Sequence, residues 1–157
     1  KIKSLRYAGT INKEIVIDAD LNHKIDSLQA MILLEQLKSL KKKIKKRILN
    51  ASFYEKQLTS KIHKPKFFSD NRHVYYTYSI LVNDRDNLIK YLSKNGIERK
   101  IQHPFIISDH PGLKNKFNKK FLNAKKIANK LLSIPIHEKL KFKELNYIVK
   151  KINKYYN

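Results

Sequence analysis

Apolar residues recur at positions 25, 28, 32, 37, 40, 44, 48, 51, 54 and 58. That spacing keeps one stripe of a helix apolar from Ile25 to Leu58, and neither a strand nor a loop repeats in this way. A helix of such length needs other elements laid along its apolar stripe, so it fixes much of what the chain can become. The lysine run LKSLKKKIKKRIL, 37–49, falls between the apolar positions and reads as the wet face of the same helix. Asp26 can cap its start, and Pro65 follows an expected end near Lys61.

The flanking segments are shorter. KIKSLRYAG, 1–9, reads as a helix end closed by Gly9, and 10–24 as an irregular connector with IVID, 15–18, as a short strand candidate. HVYYTYSILV, 73–82, is aromatic and β-branched, which predicts a strand. Asp84 is the expected cap of a helix that Gly96 closes. IERKIQH, 97–103, reads as the next strand, stopped by Pro104, before an irregular loop through Asp109 and Pro111. A helix over about 121–132, an extended SIPIH at 133–137 and a last helix over about 142–154 complete the chain. The expected fold class is α+β: a long N-terminal helix, then a small, mainly antiparallel sheet covered by helices on one side.

The formal net charge of +22 raises nucleic acid, a membrane surface or an anionic substrate as partner. Yet only five of the 35 basic residues are arginine, at 6, 47, 72, 85 and 99, and phosphate readers favour the arginine fork. The absence of cysteine excludes disulfides, thiolate metal sites and a cysteine nucleophile, and fits the cytoplasm. The apolar runs are short, AMILL at 30–34 among them, so no membrane span is expected. Three isolated glycines make no phosphate loop. The six histidines, at 23, 63, 73, 103, 110 and 137, have no zinc spacing, so no metal is expected. Lys1 in place of an initiator methionine fits a start inside a longer polypeptide.

Four blocks, in order, add what composition does not. They are KIKSLRYAG at 1–9, LNHKIDSLQAMIL at 21–33, HVYYTYSILVNDRDNLIKYLSKNGIERKIQHP at 73–104 and LLSIPIHEKL at 131–140. Together they resemble the carboxyl-terminal part of the DegT/DnrJ/EryC1/StrS family of sugar aminotransferases. The second block resembles that family's Asn-x-Arg-Met/Leu-Asp-x-Leu-Gln-Ala, and the fourth its Leu-Ser-Leu-Pro-x-His-x-x-Leu.

The resemblance implies fold-type I enzymes that use pyridoxal 5'-phosphate to move an amino group, usually from glutamate, onto a keto-sugar nucleotide. It implies that 1–24 ends the large cofactor-binding domain and that 25–157 is the small C-terminal domain. It places the lysine that carries the cofactor upstream of residues 1–9, so no catalytic residue is expected here and this chain alone is expected to be inactive. It also implies a homodimer with shared active sites, in which Asn22 reaches the cofactor phosphate of the neighbouring subunit. A helix start would add free N–H groups there. Lys24 stands where the family usually has arginine, and Asp20 where it has glycine. Lys100 and His103 match a segment that approaches the sugar nucleotide, although Gln102 replaces its usual aromatic, and His110 stands in similar space.

Plainer readings stand beside these. Asn22 can cap a turn, Lys24 can be a solvated charge, and His103, His110 and His137 can be ordinary loop residues. Two other functions compete: a basic nucleic-acid-binding domain, resting on the charge, and a non-catalytic dimerisation remnant, resting on the long helix.

Overall fold

The structure, a computed structural model, describes residues 2–12, 14–17, 24–66, 73–113, 116 and 120–157. The chain divides into two compact units, Lys1–Lys41 and Lys42–Asn157, with the division falling inside the long helix.

In the first unit, helix α1 (Ile2–Leu5) leads to an antiparallel hairpin of β1 (Thr10–Ile11) and β2 (Ile15–Val16). Gly9 turns the chain with a φ of 71°, in the left-handed region that glycine enters freely. Its N–H donates to the Ser4 carbonyl, and its own carbonyl accepts the Ile17 N–H at 2.9 Å. Helix α2 (Ser27–Gln57) then begins as its cap predicts. Asp26 Oδ1 accepts the N–H groups of Leu28 at 2.8 Å and Gln29 at 3.3 Å.

The second unit holds the core. Strands β3 (Tyr78–Leu81) and β4 (Leu131–Ile134) pair antiparallel, with Tyr78 opposite Ile134 and Leu81 opposite Leu131. Each pair member gains one further neighbour through a single bridge, His63 to Leu81 and Lys100 to Ser133. Helices α3 (Arg85–Lys94), α4 (Leu122–Lys130) and α5 (Phe142–Tyr156) complete this unit. Alternation sends Tyr78, Ile80, Leu132 and Ile134 into the core, where they join Ala51 and Tyr54 of α2 and Leu58 just past its end. Leu88 and Leu92 of α3 and Leu145, Ile148, Val149 and Ile152 of α5 supply the helical spacing on the same core. The α+β expectation holds.

Several boundaries differ from the sequence expectation. Helix α2 ends at Gln57, not near Lys61, because Asn153 intercepts it. The Asn153 amide donates to the Gln57 carbonyl at 2.8 Å and accepts the Thr59 N–H at 2.9 Å, serving both ends of the broken ladder. Residues 73–77 are not strand. Tyr75 has φ 47°, and its N–H donates to His73 Nδ1 at 3.0 Å, so the backbone turns before the ladder begins. Residues 97–103 make one bridge rather than a strand. Asp84 occupies the N-cap position of α3 without capping it. Its oxygens instead accept the Asn87 amide at 3.0 Å and the Tyr155 hydroxyl at 2.6 Å. That bond to Asp84, then burial, pushes the Tyr155 phenol up to about 12. The other end of α3 behaves as expected: Gly96 has φ 67°, and Ile97 and Gly96 donate back to Leu92 and Ser93. Residues 107–109 of the expected loop form a single 3-10 turn.

Candidate functional site: a cationic cleft beside the sheet

The single bridge at Lys100 is strong: its N–H donates to Ser133 at 3.0 Å and its carbonyl accepts from Ser133 at 2.9 Å. Around that anchor the chain is extended, and side chains alternate. Ile97 is buried and Ile101 packs against the core, while Glu98, Lys100 and Gln102 face a cleft of about 260 Å³. Arg99, Tyr76 and Arg47 also line it.

The opposite wall is the strap 135–138, held by one face of α2. Three side chains at helical spacing reach it. The Tyr54 hydroxyl donates to the Pro135 carbonyl at 2.7 Å, and the Asn50 amide donates to the His137 carbonyl at 3.1 Å. Arg47 Nε donates to Glu138 Oε2 at 2.9 Å. Asn50 and Tyr54 are fully buried, so these bonds satisfy strap carbonyls that water does not reach from the helix side.

Three cations, Arg47, Arg99 and Lys100, therefore face one cleft against the single carboxylate of Glu98. Arg47 is already paired with Glu138. Arg99 and Lys100 carry the charge a ligand could use, with Gln102 as a neutral donor and the exposed ring of Tyr76 as a stacking surface. Such a set suits a phosphate-bearing ligand. Among the described residues, no group of three histidines, cysteines or carboxylates could hold a metal ion.

The Glu138 carboxyl lies below its ordinary value, first through its own backbone N–H and then through the Arg47 guanidinium. A lowered folded pKa gives stability that is present above the ordinary value and is lost as pH falls through the lowered one. Arg47→Met is expected to lower Tm at neutral pH and to shrink the further drop as pH falls through the ordinary carboxylate range and below it. Thermal melts across that window would check it, and an unchanged acid-side drop would mean that the pair does not hold the strap.

Of the residues singled out in the sequence, Lys100 lines the cleft. His103 is exposed, one residue beyond the lining, and His110 is exposed at the end of the 3-10 turn with its ring 5.8 Å from that of Phe105. Asn22 lies outside the described residues. Lys24 is exposed, with its ammonium 5.8 Å from the centre of the Tyr7 ring. The expected free N–H groups at the start of α2 are a correction: Asp26 takes those of Leu28 and Gln29 and adds a carboxylate. Arg47, Arg99 and Tyr76 were missed. Arginine was the usable signal, since two of only five in the chain line this cleft.

Residues 1–153 match the sequence profile of the DegT/DnrJ/EryC1/StrS aminotransferase family. The chain belongs to that family. One relative is the dTDP-3-amino-3,6-dideoxy-alpha-D-galactopyranose transaminase of Aneurinibacillus thermoaerophilus, 24% identical over 99% of this chain and 43% of that protein. Another is the pleiotropic regulatory protein of Geobacillus stearothermophilus, 28% identical over 99% of this chain and 44% of that protein. Among solved structures, S. venezuelae DesV in complex with a ketimine intermediate matches with a TM-score of 0.89 at 22% identity, over 98% of this chain and 43% of DesV. NtdA from Bacillus subtilis, with bound cofactor PMP, matches with a TM-score of 0.82 at 23% identity, over 95% of this chain and 37% of NtdA. The fold of this DegT-family chain is thus that of part of the sugar aminotransferases, and it spans less than half the length of the relatives it matches. Among the described residues, no helix is long and apolar enough to cross a membrane.

Proposed function

We propose that this chain is the carboxyl-terminal portion of a pyridoxal-phosphate-dependent nucleotide-sugar aminotransferase, which moves an amino group from an amino acid, glutamate in the first instance, to a keto-sugar nucleotide. The family match over residues 1–153 carries this reading. In it, 1–24 closes the large domain, 25–157 is the small domain, and the working unit is a cytoplasmic homodimer with shared active sites.

The small domain's task is recognition. Lys100, with Arg99 beside it, meets the diphosphate of the sugar nucleotide, Gln102 donates to it, and Tyr76 stacks on a ring of the substrate. His103 and His110 approach from the segment that follows. Rigid attachment of the strap 135–138 to α2 keeps the cleft wall in place while substrate binds.

Pyridoxal phosphate supplies the electron sink for amino transfer when bound. The described residues do not make a cradle for it. At the start of α2, Asp26 occupies the Leu28 and Gln29 N–H groups and brings negative charge. The family resemblance gives this chain's contribution to the cofactor to Asn22, an amide donor to the phosphate of the partner's cofactor, with Lys24 as a neighbouring charge. The groups that move protons belong to the rest of the family fold.

Asn22→Ala in the natural polypeptide is expected to weaken cofactor affinity roughly tenfold, the loss of one hydrogen bond to a charged group. Cofactor titration followed by absorbance would check it, and unchanged affinity would remove Asn22 from the site. For the cleft, the measurement is titration with dTDP and UDP. Binding of either, with Lys100 and Gln102 responding in NMR spectra, is the expected result, and binding of neither would overturn the recognition role.

A further inference from the structure

Past its midpoint, helix α2 has two unlike faces. On a helix turning about 100° per residue, Arg47, Asn50, Ala51 and Tyr54 share one face, and all four meet the strap or the core. Lys42, Lys45, Lys46, Leu49 and Lys56 share the opposite face. Lys42, Lys45 and Lys56 are exposed, and so is Leu49, at 57%. Phe53 follows Leu49 by one turn, and its ring meets that of Phe142, the first residue of α5, edge-on at 5.3 Å. Phe142 is 65% exposed. Two large apolar side chains thus stand in water beside four lysines, on a face that runs about 21 Å from Lys42 to Lys56. No acidic residue occurs from Gln36 to Tyr54, so this stretch of α2 has no carboxylate to offset the ammonium groups. The nearest ones in sequence are engaged elsewhere: Glu55 lies 3.9 Å from Lys64, and Glu144, two residues past Phe142, accepts the Lys141 N–H at 2.7 Å.

We propose that this face of α2, with Phe142 beside it, docks on the surface of an anionic lipid bilayer. Such docking is separate from amino transfer and needs none of the groups assigned to it. Charge alone would fit any polyanion, but two features select the bilayer. First, the face carries lysine only, and the one arginine of α2 is turned to Glu138. Readers of nucleic-acid phosphates rely on the planar arginine fork, whereas the diffuse negative potential of a membrane attracts ammonium point charges as well as guanidinium groups. Second, Leu49 and Phe142 gain nothing from a sugar–phosphate backbone. At a bilayer they enter the boundary between headgroups and acyl chains, about 5–10 Å deep, while the lysines stay among the headgroups. The membrane potential fades within a Debye length, about 8 Å at physiological salt, so the lysines act fully only when the helix lies along the surface. Apolar insertion then holds what charge has gathered.

The test is co-sedimentation of the natural polypeptide with vesicles at about 0.15 M salt. One set of vesicles is phosphatidylcholine, and the other carries about one third phosphatidylglycerol. The expected result is binding to the anionic set only. Lys42→Gln, Lys45→Gln and Lys46→Gln together are expected to weaken it about a hundredfold. Lys90→Gln, Lys94→Gln and Lys126→Gln, exposed on α3 and α4, remove as much charge and are expected to change it less than about threefold. Leu49→Ser with Phe142→Ser is expected to weaken it about tenfold. Equal losses from the two lysine sets would mean attraction by net charge alone and would overturn the docking face. Binding indifferent to Leu49 and Phe142, or no binding to anionic vesicles, would overturn it too. Tighter binding to a DNA duplex than to vesicles, lost with Lys42, Lys45 and Lys46, would assign the face to nucleic acid instead. If the serine pair fails to fold, the two lysine sets, which alter surface side chains only, still decide.

Discussion

Tyr54→Ala is expected to destabilise the Lys42–Asn157 unit by about 3–5 kcal/mol, the range for removing a buried aromatic side chain. Tyr54 has no exposed surface. Its ring centre lies 5.1 Å from that of Tyr78, in a tilted contact, and its hydroxyl donates to the Pro135 carbonyl. Truncation therefore leaves a cavity between α2 and β3 and an unpaired carbonyl on the strap. Burial first, and Tyr78 second, push the Tyr54 phenol well up from its ordinary value, so it stays a neutral donor at any physiological pH. Tyr54→Phe separates the two losses and is expected to cost about 1 kcal/mol, the hydrogen bond alone. Urea unfolding of the three proteins would measure both. A loss under about 1 kcal/mol for the alanine variant would mean that α2 and the strap are not pinned together.

The second large effect concerns recognition. Changing Arg99 and Lys100 together to alanine is expected to weaken binding of a nucleoside diphosphate about a hundredfold. Two hydrogen bonds from charged donors are lost, and about 2.7 kcal/mol corresponds to that factor. Neither side chain is buried, so the fold is expected to survive, and an unchanged urea midpoint would establish that. Lys100→Arg is the useful companion. It keeps the charge and supplies a planar fork that pairs bidentately with phosphate, so binding is expected to hold or tighten. A double alanine variant that binds as before would move the recognition site away from this cleft.

Much of the fold could be read from the residues. The later part of the α2 stripe, at Ile48, Ala51 and Tyr54, the α5 stripe of Leu145, Ile148, Val149 and Ile152, and the Gly96 stop rest on local periodicity and backbone freedom, which sequence carries directly; the earlier stripe positions Ile25, Leu28, Ile32, Leu37 and Leu40 are exposed. The failures share a cause in tertiary partners. Asn153 ends α2 from nearly a hundred residues away, and Tyr155 draws Asp84 off its cap. The aromatic run 73–77 has strand propensity, yet the His73 ring and the left-handed Tyr75 turn it. The cleft was half legible. Lys100 was reached through family resemblance, whereas Arg47 joins it only because α2 packs beside the strap. Scarce arginine in a lysine-rich chain was the available clue, and its reason is chemical: the planar fork pairs bidentately with carboxylate and phosphate, whereas a lysine ammonium acts as a point charge.

The central claim is amino transfer to a nucleotide sugar. Its most direct test uses the natural polypeptide, purified from its source, with its intact mass recorded. The protein is mixed with pyridoxal phosphate, glutamate and a set of keto-sugar nucleotides, and product is sought by mass spectrometry. The expected result is a protein that carries the cofactor absorbance and produces an amino-sugar nucleotide together with 2-oxoglutarate. A protein that takes up no cofactor and forms neither product would contradict the claim.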